Sequence, residues 1–164
     1  MTKKKSIHST QFQMDENKDL IDEIRKHDVM LTEVNSDLKE SPNDIDLLRK
    51  KGAMLEYKAY NIYYLRKIVL KYSDAKAAAA REERDKLLKD AIRIYELILE
   101  ISPNHTESYI DLAECWSSLE DYSKAIEYYD KAIGLYNKGY YSECLEDELK
   151  DAISRKKEIL KLEI

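Results

Sequence analysis

The fold is decided by the stretch Thr106–Asn137, which reads TESYIDLAECWSSLEDYSKAIEYYDKAIGLYN. Apolar and aromatic residues recur every three or four positions on both sides of the pair Glu120-Asp121, a spacing that places them on one face of an α-helix. The stretch therefore predicts two helices joined by a short turn at that pair. Alanines on the inner faces let the helices approach closely, and aromatic side chains fill the space between them. The predicted inner residues are Tyr109, Leu112, Ala113, Trp116, Ala125, Tyr129 and Ala132.

This pattern resembles the tetratricopeptide repeat, a helix–turn–helix unit of about 34 residues with the signature W-x2-L-G-x2-Y…A-x3-F…P. The positions that correspond to the signature are Tyr109, Leu112, Ala113, Trp116, Ala125 and Tyr129. Asn137 stands where the signature has proline, so the end of the repeat is atypical. The resemblance implies a repeat at residues 105–138 within an α-helical array.

The sequence Ser-Pro-Asn occurs twice, at Ser41-Pro42-Asn43 and at Ser102-Pro103-Asn104. Serine is favoured at the N-cap of a helix and proline at its first turn, so both words are predicted to begin a helix. The recurrence indicates an internal repeat, whose first copy spans residues 42–104 and is longer than the second.

The extra residues of the first copy predict two long helices rather than a loop. An uninterrupted stripe indicates one helix over 43–72, and an alanine-rich segment with high helix propensity indicates a second over 74–101. A tight turn at Tyr72–Asp74 would join them, with Gly52 at a close helix contact. A separate third hairpin is the alternative, which the uninterrupted stripe disfavours. The stripe consists of Leu48, Gly52, Leu55, Ala59, Ile62 and Val69.

Two further helices are predicted to flank the repeats. Residues 14–40 would pack on the first long helix, and residues 141–163 would cover the last apolar face, as the end of a repeat array requires. The predicted single domain, 14–164, then follows a flexible tail at 1–13. The apolar stripes are Leu20, Ile24, His27, Leu31, Val34 and Leu38 in the first helix, and Tyr141, Leu145, Leu149, Ile153 and Leu160 in the second.

Composition favours the same all-α class, an antiparallel array of about six helices. Three glycines and two prolines are too few for the turns of an all-β fold. The net charge of −5 argues against nucleic acid as a partner. No apolar run approaches the ~18 residues of a membrane span. Cys115 and Cys144 fit buried thiols in a reducing compartment, so we expect a cytoplasmic protein.

The sequence contains no recognisable catalytic, metal or cofactor motif. His8, His27 and His105 have no metal-ligand spacing to one another or to the cysteines. Nucleophile-elbow, phosphate-loop and dinucleotide-binding signatures are also missing. We therefore expect neither an enzyme nor a bound cofactor or metal.

The resemblance implies that the first helices of successive repeats line a concave groove that receives a peptide or a partner helix. The groove positions, read from a helical wheel, form a tyrosine-rich part and an acidic part, so a partner segment carrying Lys or Arg is favoured. The tyrosines have two interpretations: packing on the N-terminal helix, or an exposed recognition stripe. The candidate residues are Asp46, Arg49, Tyr57, Tyr60, Tyr64, Glu107, Ile110, Asp111, Glu114 and Ser117.

The sequence therefore predicts a non-enzymatic protein–protein interaction module, an adaptor or scaffold that binds a peptide or helix in this groove. Two alternatives stay open. A chaperone-like holder of a client segment needs an apolar groove, whereas a structural subunit that assembles through the long hairpin needs an apolar outer patch on 60–72 or 75–88. A homo-oligomer is compatible with each, while nucleic acid and membrane are not expected partners.

Overall fold

The computed structural model describes residues 4–64, 74–140 and 145–162. In these ranges the chain forms six α-helices and no strand. The helices are α1 (Lys4–Glu40), α2 (Ile45–Tyr64), α3 (Asp74–Ile101), α4 (Thr106–Ser118), α5 (Tyr122–Tyr136) and α6 (Leu145–Leu162). The predicted all-α class is therefore confirmed.

The helices follow one another as an array. Each packs on its neighbour in sequence, and the contacts are most extensive within the hairpins α2–α3 and α4–α5. Helix α4 also contacts α2 and α6, which are its next-but-one neighbours. Helices α2, α4 and α6 therefore share one side of the array, and we call the surface that they form the inner face.

The two Ser-Pro-Asn words form turns before the helices and not helix starts, so that prediction was wrong. The backbone N–H of Asp44 donates to the Ser41 carbonyl oxygen at 3.2 Å, and that of His105 donates to Ser102 at 3.1 Å. Proline suits the second position of such a turn because its φ is already fixed near the required value.

The helix caps are the residues that follow those turns. The Asp44 carboxylate accepts from the backbone N–H of Leu47 at 3.0 Å, and α2 begins one residue after Asp44. His105 caps α4 through its ring nitrogen Nδ1, which accepts from the backbone N–H of Ser108 at 3.3 Å. Each cap satisfies one of the free N–H groups of the first helical turn.

The predicted bounds of the outer helices hold in part. Helix α3 has the predicted range, while α1 begins at Lys4 because neither glycine nor proline precedes Pro42 to interrupt it. The flexibility of residues 1–13 stays a prediction. Helix α2 is described to Tyr64, and its predicted continuation lies with most of the predicted turn in residues 65–73, outside the described residues.

The apolar stripe of α6 differs from the prediction in its last turns. Ala152 and Ile159 are buried beside Leu145 and Leu149, whereas Leu160 is 43% exposed. The four buried residues are separated by four, three and seven positions, which follows the 3.6-residue period of an α-helix. The predicted stripe instead contains Ile153 and Leu160, each one position after a buried residue. Tyr141 lies outside the described residues.

The second hairpin has the predicted interior. Ala113, Ala125, Tyr129 and Ala132 are fully buried between α4, α5 and α6, and Leu112 is fully buried against α2 and α3. The predicted turn is also present. Glu120 adopts the left-handed backbone conformation, with a φ of 65°, and Asp121 then caps α5 by accepting from the backbone N–H of Lys124.

The long hairpin is built around a close approach at Gly52. A Cβ atom at this position would lie 2.6 Å from ring carbons of Tyr95 on α3, closer than nonbonded carbon atoms approach. Tyr95 is buried and its hydroxyl donates to the Glu56 carboxylate on α2, so the ring is held from both ends. The predicted close contact of Gly52 is confirmed.

Gly52→Ala is expected to lower the free energy of unfolding by about 1–3 kcal/mol, because the added methyl overpacks a ring that cannot swing away. Gly134→Ala on α5 is the matched control. No atom lies within 4 Å of its added Cβ, so alanine should stabilise the helix by up to about 1 kcal/mol. Urea unfolding followed by circular dichroism measures both changes. Equal effects of the two substitutions would contradict the Gly52–Tyr95 contact.

Candidate functional site

Three ion pairs cross the inner face and join its helices. The Arg49 guanidinium on α2 contacts Asp111 on α4 at 2.9 Å and Glu148 on α6 at 3.1 Å. Glu114 on α4 contacts Arg155 on α6 at 2.7 Å. These pairs bring together two residues of the predicted acidic part, Asp111 and Glu114, but both carboxylates already hold arginines of the same chain.

The Arg49–Asp111 pair is the most enclosed of these contacts. Arg49 donates to both carboxylate oxygens of Asp111, which is the two-point geometry that suits a guanidinium. Burial nevertheless raises the pKa of Asp111 to about 6. Arg49 lowers this pKa, but it offsets only part of the rise, to which the negative charges of Glu114 and Glu148 also contribute. Asp111 therefore holds α2 against α4 and has little capacity left for a partner.

The other predicted acidic-part residues differ in accessibility. Ile110 is predicted to lie in the groove, but it is only 3% exposed and packs in the core between α4, α5 and α6, so it cannot contact a partner. Ile110 lies on the side of α4 that packs against α5, and α6 covers this side as well. Glu107 lies in the first turn of α4, where its carboxylate oxygen Oε2 is 3.8 Å from the ring nitrogen Nδ1 of His105. Ser117 is half-buried, and Asp46 is exposed at the start of α2.

The predicted tyrosines lie at the surface of α2. Tyr57 is 62% exposed, Tyr60 64% and Tyr64 40%. Both interpretations of them hold in part. Tyr57 stacks on His27 of α1 with ring centroids 5.7 Å apart, whereas Tyr60 stacks on Tyr64 at 6.0 Å. The Tyr60–Tyr64 pair, which we call the tyrosine pair, is therefore an exposed aromatic surface.

The tyrosine pair continues the line of α2 that faces the inner side. Arg49, Glu56, Tyr60 and Tyr64 are separated by seven, four and four residues, and such spacings stack side chains on one helix face. Because Arg49 and Glu56 point toward α4, the tyrosine pair extends the same surface toward the end of α2.

A cavity of about 290 Å³ opens on the inner face next to this line. It lies where the middle of α2 meets α4, α5 and α6. Its walls include Glu56, Glu114, Ser117, Tyr129, Arg155 and Glu158. Sequence reasoning missed Glu56, Arg155 and Glu158. Glu56 could have been found, because it lies between Ala53 and Tyr60 on the same face of the predicted helix.

Among the carboxyl groups of this cavity, Glu56 has the most strongly raised pKa. Burial raises the pKa of its carboxyl to about 7, and the nearby charges of Asp111 and Glu114 act in the same direction. The hydrogen bond from Tyr95 opposes the rise without cancelling it. Burial likewise raises the pKa of the neighbouring Cys115 thiol, which is a packing residue and not a reactive group.

The described residues contain no group of three or more His, Cys, Asp and Glu side chains that could hold a metal ion. Within the same ranges, no helix combines the length and apolar character needed to cross a membrane. The site is therefore a surface formed by carboxylates, arginines and aromatic rings.

Comparison with known proteins places one segment in a family. Residues 106–138 match the family model of the tetratricopeptide repeat, which confirms the predicted repeat. No curated protein matches the sequence. Among solved structures, the chain is similar to MamA 41-end from Desulfovibrio magneticus RS-1, with 17% identity, 93% of this chain and 94% of that chain covered, and a TM-score of 0.31. A MamA RS-1 ArsTM double mutant has the same identity and TM-score, with 93% of each chain covered. Similarity at this level assigns neither family nor function.

Glu56→Gln is expected to flatten the dependence of stability on pH. The carboxyl ionises near pH 4.5 in the unfolded chain but only near pH 7 in the folded one. The folded protein therefore loses stability as the pH rises between these values, by on the order of 3 kcal/mol. The variant keeps the acceptor for Tyr95 but removes this loss.

Urea unfolding at about pH 5 and about pH 8 measures the difference. The control is Glu127→Gln, whose carboxylate is on the outer surface of α5 and pairs with Lys131. This control should retain the wild-type pH dependence. A Glu56→Gln protein that loses as much stability as wild type would refute the assignment to Glu56, since Asp111 contributes equally to both proteins.

Proposed function

We propose that this chain, with its tetratricopeptide repeat at residues 106–138, is a non-enzymatic protein-binding module that holds a peptide or helix of a partner along its inner face. It would act as an adaptor or scaffold. The observation that carries the proposal is the exposed tyrosine pair, which lies on the same face of α2 as Arg49 and Glu56 and nearer the end of the helix.

Exposed tyrosines of this kind suit the anchoring of a partner. Their rings offer a large apolar area at a small cost in conformational entropy, and their hydroxyls remain hydrated at the rim. Tyr60 and Tyr64 already stack on each other, so part of their ordering is complete before a partner arrives. A partner side chain placed against them would bury apolar surface that is now in water.

The ion pairs of the inner face support a binding role by keeping the helices in place. Arg49 connects α2 to both α4 and α6, and Glu114 connects α4 to α6. A partner can then contact a surface that does not have to be assembled on binding, which favours affinity. The polar character of this surface argues against a chaperone-like holder, which needs an apolar groove.

A second candidate function is assembly through the long hairpin. Ala78 and Ala79 on α3 are exposed, and small side chains let a second helix approach closely. In that case the protein would be a structural subunit, and contact would occur along α3 and not along the inner face.

A photo-crosslinking experiment distinguishes the two functions. Tyr60→p-benzoylphenylalanine and Ala79→p-benzoylphenylalanine place the probe on the inner face and on the hairpin, and Tyr140→p-benzoylphenylalanine, also at an exposed tyrosine, is the control. In extract of the native host, we expect one specific product from position 60 and none from 140. A product from position 79 alone would instead support assembly through the hairpin.

Tyr60→Ala is expected to weaken binding of the captured partner at least about tenfold, mainly by faster dissociation, because an apolar anchor is lost from the contact. Surface plasmon resonance with the purified partner measures both rates. Tyr140→Ala, which truncates an equally large exposed ring beyond the end of α5, should bind like wild type. Wild-type kinetics for Tyr60→Ala would refute the inner-face proposal.

A further inference from the structure

We propose that the cavity between α2, α4, α5 and α6 binds one cationic side chain, a lysine or arginine, of the partner segment on the inner face. This inference rests on the proposed function and names the chemistry that the site selects. It is carried by three features: the charges of the cavity walls, the buried Tyr129 hydroxyl in one wall, which forms no hydrogen bond of normal length, and the exposed Tyr60 ring one helical turn beyond Glu56.

The walls carry an excess of negative charge. Glu56, Glu114 and Glu158 face the cavity together with one cation, Arg155. The Arg155 guanidinium contacts Glu114 at 2.7 Å, so its charge is already matched. Glu56 receives a hydrogen bond from Tyr95 but contacts no cation in the described residues. An entering cation would therefore meet carboxylates whose charge is not balanced.

The Tyr129 hydroxyl is a second, independent feature of this cavity. Tyr129 is fully buried, its side chain forms part of the cavity wall, and its hydroxyl forms no hydrogen bond of normal length in the described residues, although the Arg155 guanidinium lies close enough to interact with it. Buried polar groups in native proteins nearly always have a partner. A cationic N–H group in the cavity would donate to this oxygen, and the hydroxyls of Ser117 and Ser118 on the same wall are further acceptors.

The exposed ring of Tyr60 suits the aliphatic part of a lysine or arginine side chain. Tyr60 is one helical turn beyond Glu56 on α2 and is mostly exposed. The aliphatic part of a lysine or arginine could lie on its ring while the charged group reaches the carboxylates, as long cationic side chains commonly do. An anion would be repelled by the three carboxylates. An apolar side chain would leave the polar wall groups without hydrogen bonds.

Binding of a cation should be coupled to loss of a proton from Glu56. The groups that face this carboxyl are Tyr95 on α3, then Asp111, Glu114 and Cys115 on α4, and across the cavity Arg155 and Glu158 on α6. With a pKa of about 7, Glu56 is mostly protonated at about pH 6 and mostly ionised at about pH 8. The affinity for a cation should therefore rise by up to about tenfold over that range.

The test is a titration of the full chain with Nα-acetyl-lysine N-methylamide, followed by backbone amide shifts in NMR spectra. We expect saturable shifts at Ser117, Ser118 and Tyr129. The uncharged Nα-acetyl-norleucine N-methylamide should cause no saturable shift, because it has the chain of the probe but not the charge. The arginine analogue should bind the same residues.

Two variants probe the walls of the cavity. Glu56→Gln should weaken the lysine probe at least about fivefold at pH 8 and remove most of the rise in affinity between about pH 6 and about pH 8. Tyr129→Phe removes only the hydroxyl, which forms no hydrogen bond of normal length, so it should weaken binding about threefold with little change in stability. Glu127→Gln, on the outer surface of α5, should bind like wild type.

The proposal is overturned if the lysine and norleucine probes give the same shifts, or if both wall variants bind like wild type. Should Glu56→Gln fail to fold, Tyr129→Phe decides alone. Putrescine binding more tightly than the lysine probe would also overturn it, because the cavity would then select a free diamine and not a partner's side chain. These titrations use no protein partner, so they can fail while the crosslinking and binding experiments support the inner-face proposal. Equally, they can succeed while those experiments refute it.

Discussion

The contact between Gly52 and Tyr95 is the constraint on which the remaining structure depends. The Tyr95 ring occupies the space that a side chain at position 52 would need, so α2 and α3 lie closer than two ordinary helix faces allow. The hydroxyl of the same ring reaches Glu56 and determines where that carboxylate lies. Glu56 in turn forms part of the cavity wall beside α4 and α6. One interhelical contact thus connects the core of the long hairpin to the candidate site.

Much of the fold follows from local spacing in the sequence. The interior of the second hairpin, the range of α3 and the close contact at Gly52 were all predicted, because each depends on helical periodicity or on a missing side chain. The Ser-Pro-Asn words were misassigned for a physical reason: proline suits a turn as well as a helix start, and only the hydrogen bonds of Asp44 and His105 distinguish the two.

The candidate site was predicted less completely than the fold. The helical wheel placed Arg49, Asp111 and Glu114 on the correct helix faces, but it could not show that they pair within the chain, since those partners are far apart in sequence. Ile110 was misplaced for a related reason. A single-helix wheel treats one side as open, whereas α6 covers that side of α4 in the folded chain. The tyrosines were found because their exposure depends mainly on α2 itself.

The bridge from Arg49 to both Asp111 and Glu148 also affects how the array loses its structure. In an ideal repeat array each unit contacts only its neighbours, so the terminal helices can fray without disturbing the other end. Here one side chain joins α2 to α4 and α6, so detaching α6 removes a counter-charge from a residue near the start of α2. Loss of the last helix therefore affects a helix four elements earlier in the chain. The short array is therefore expected to unfold more cooperatively than an array in which each helix contacts only its neighbours.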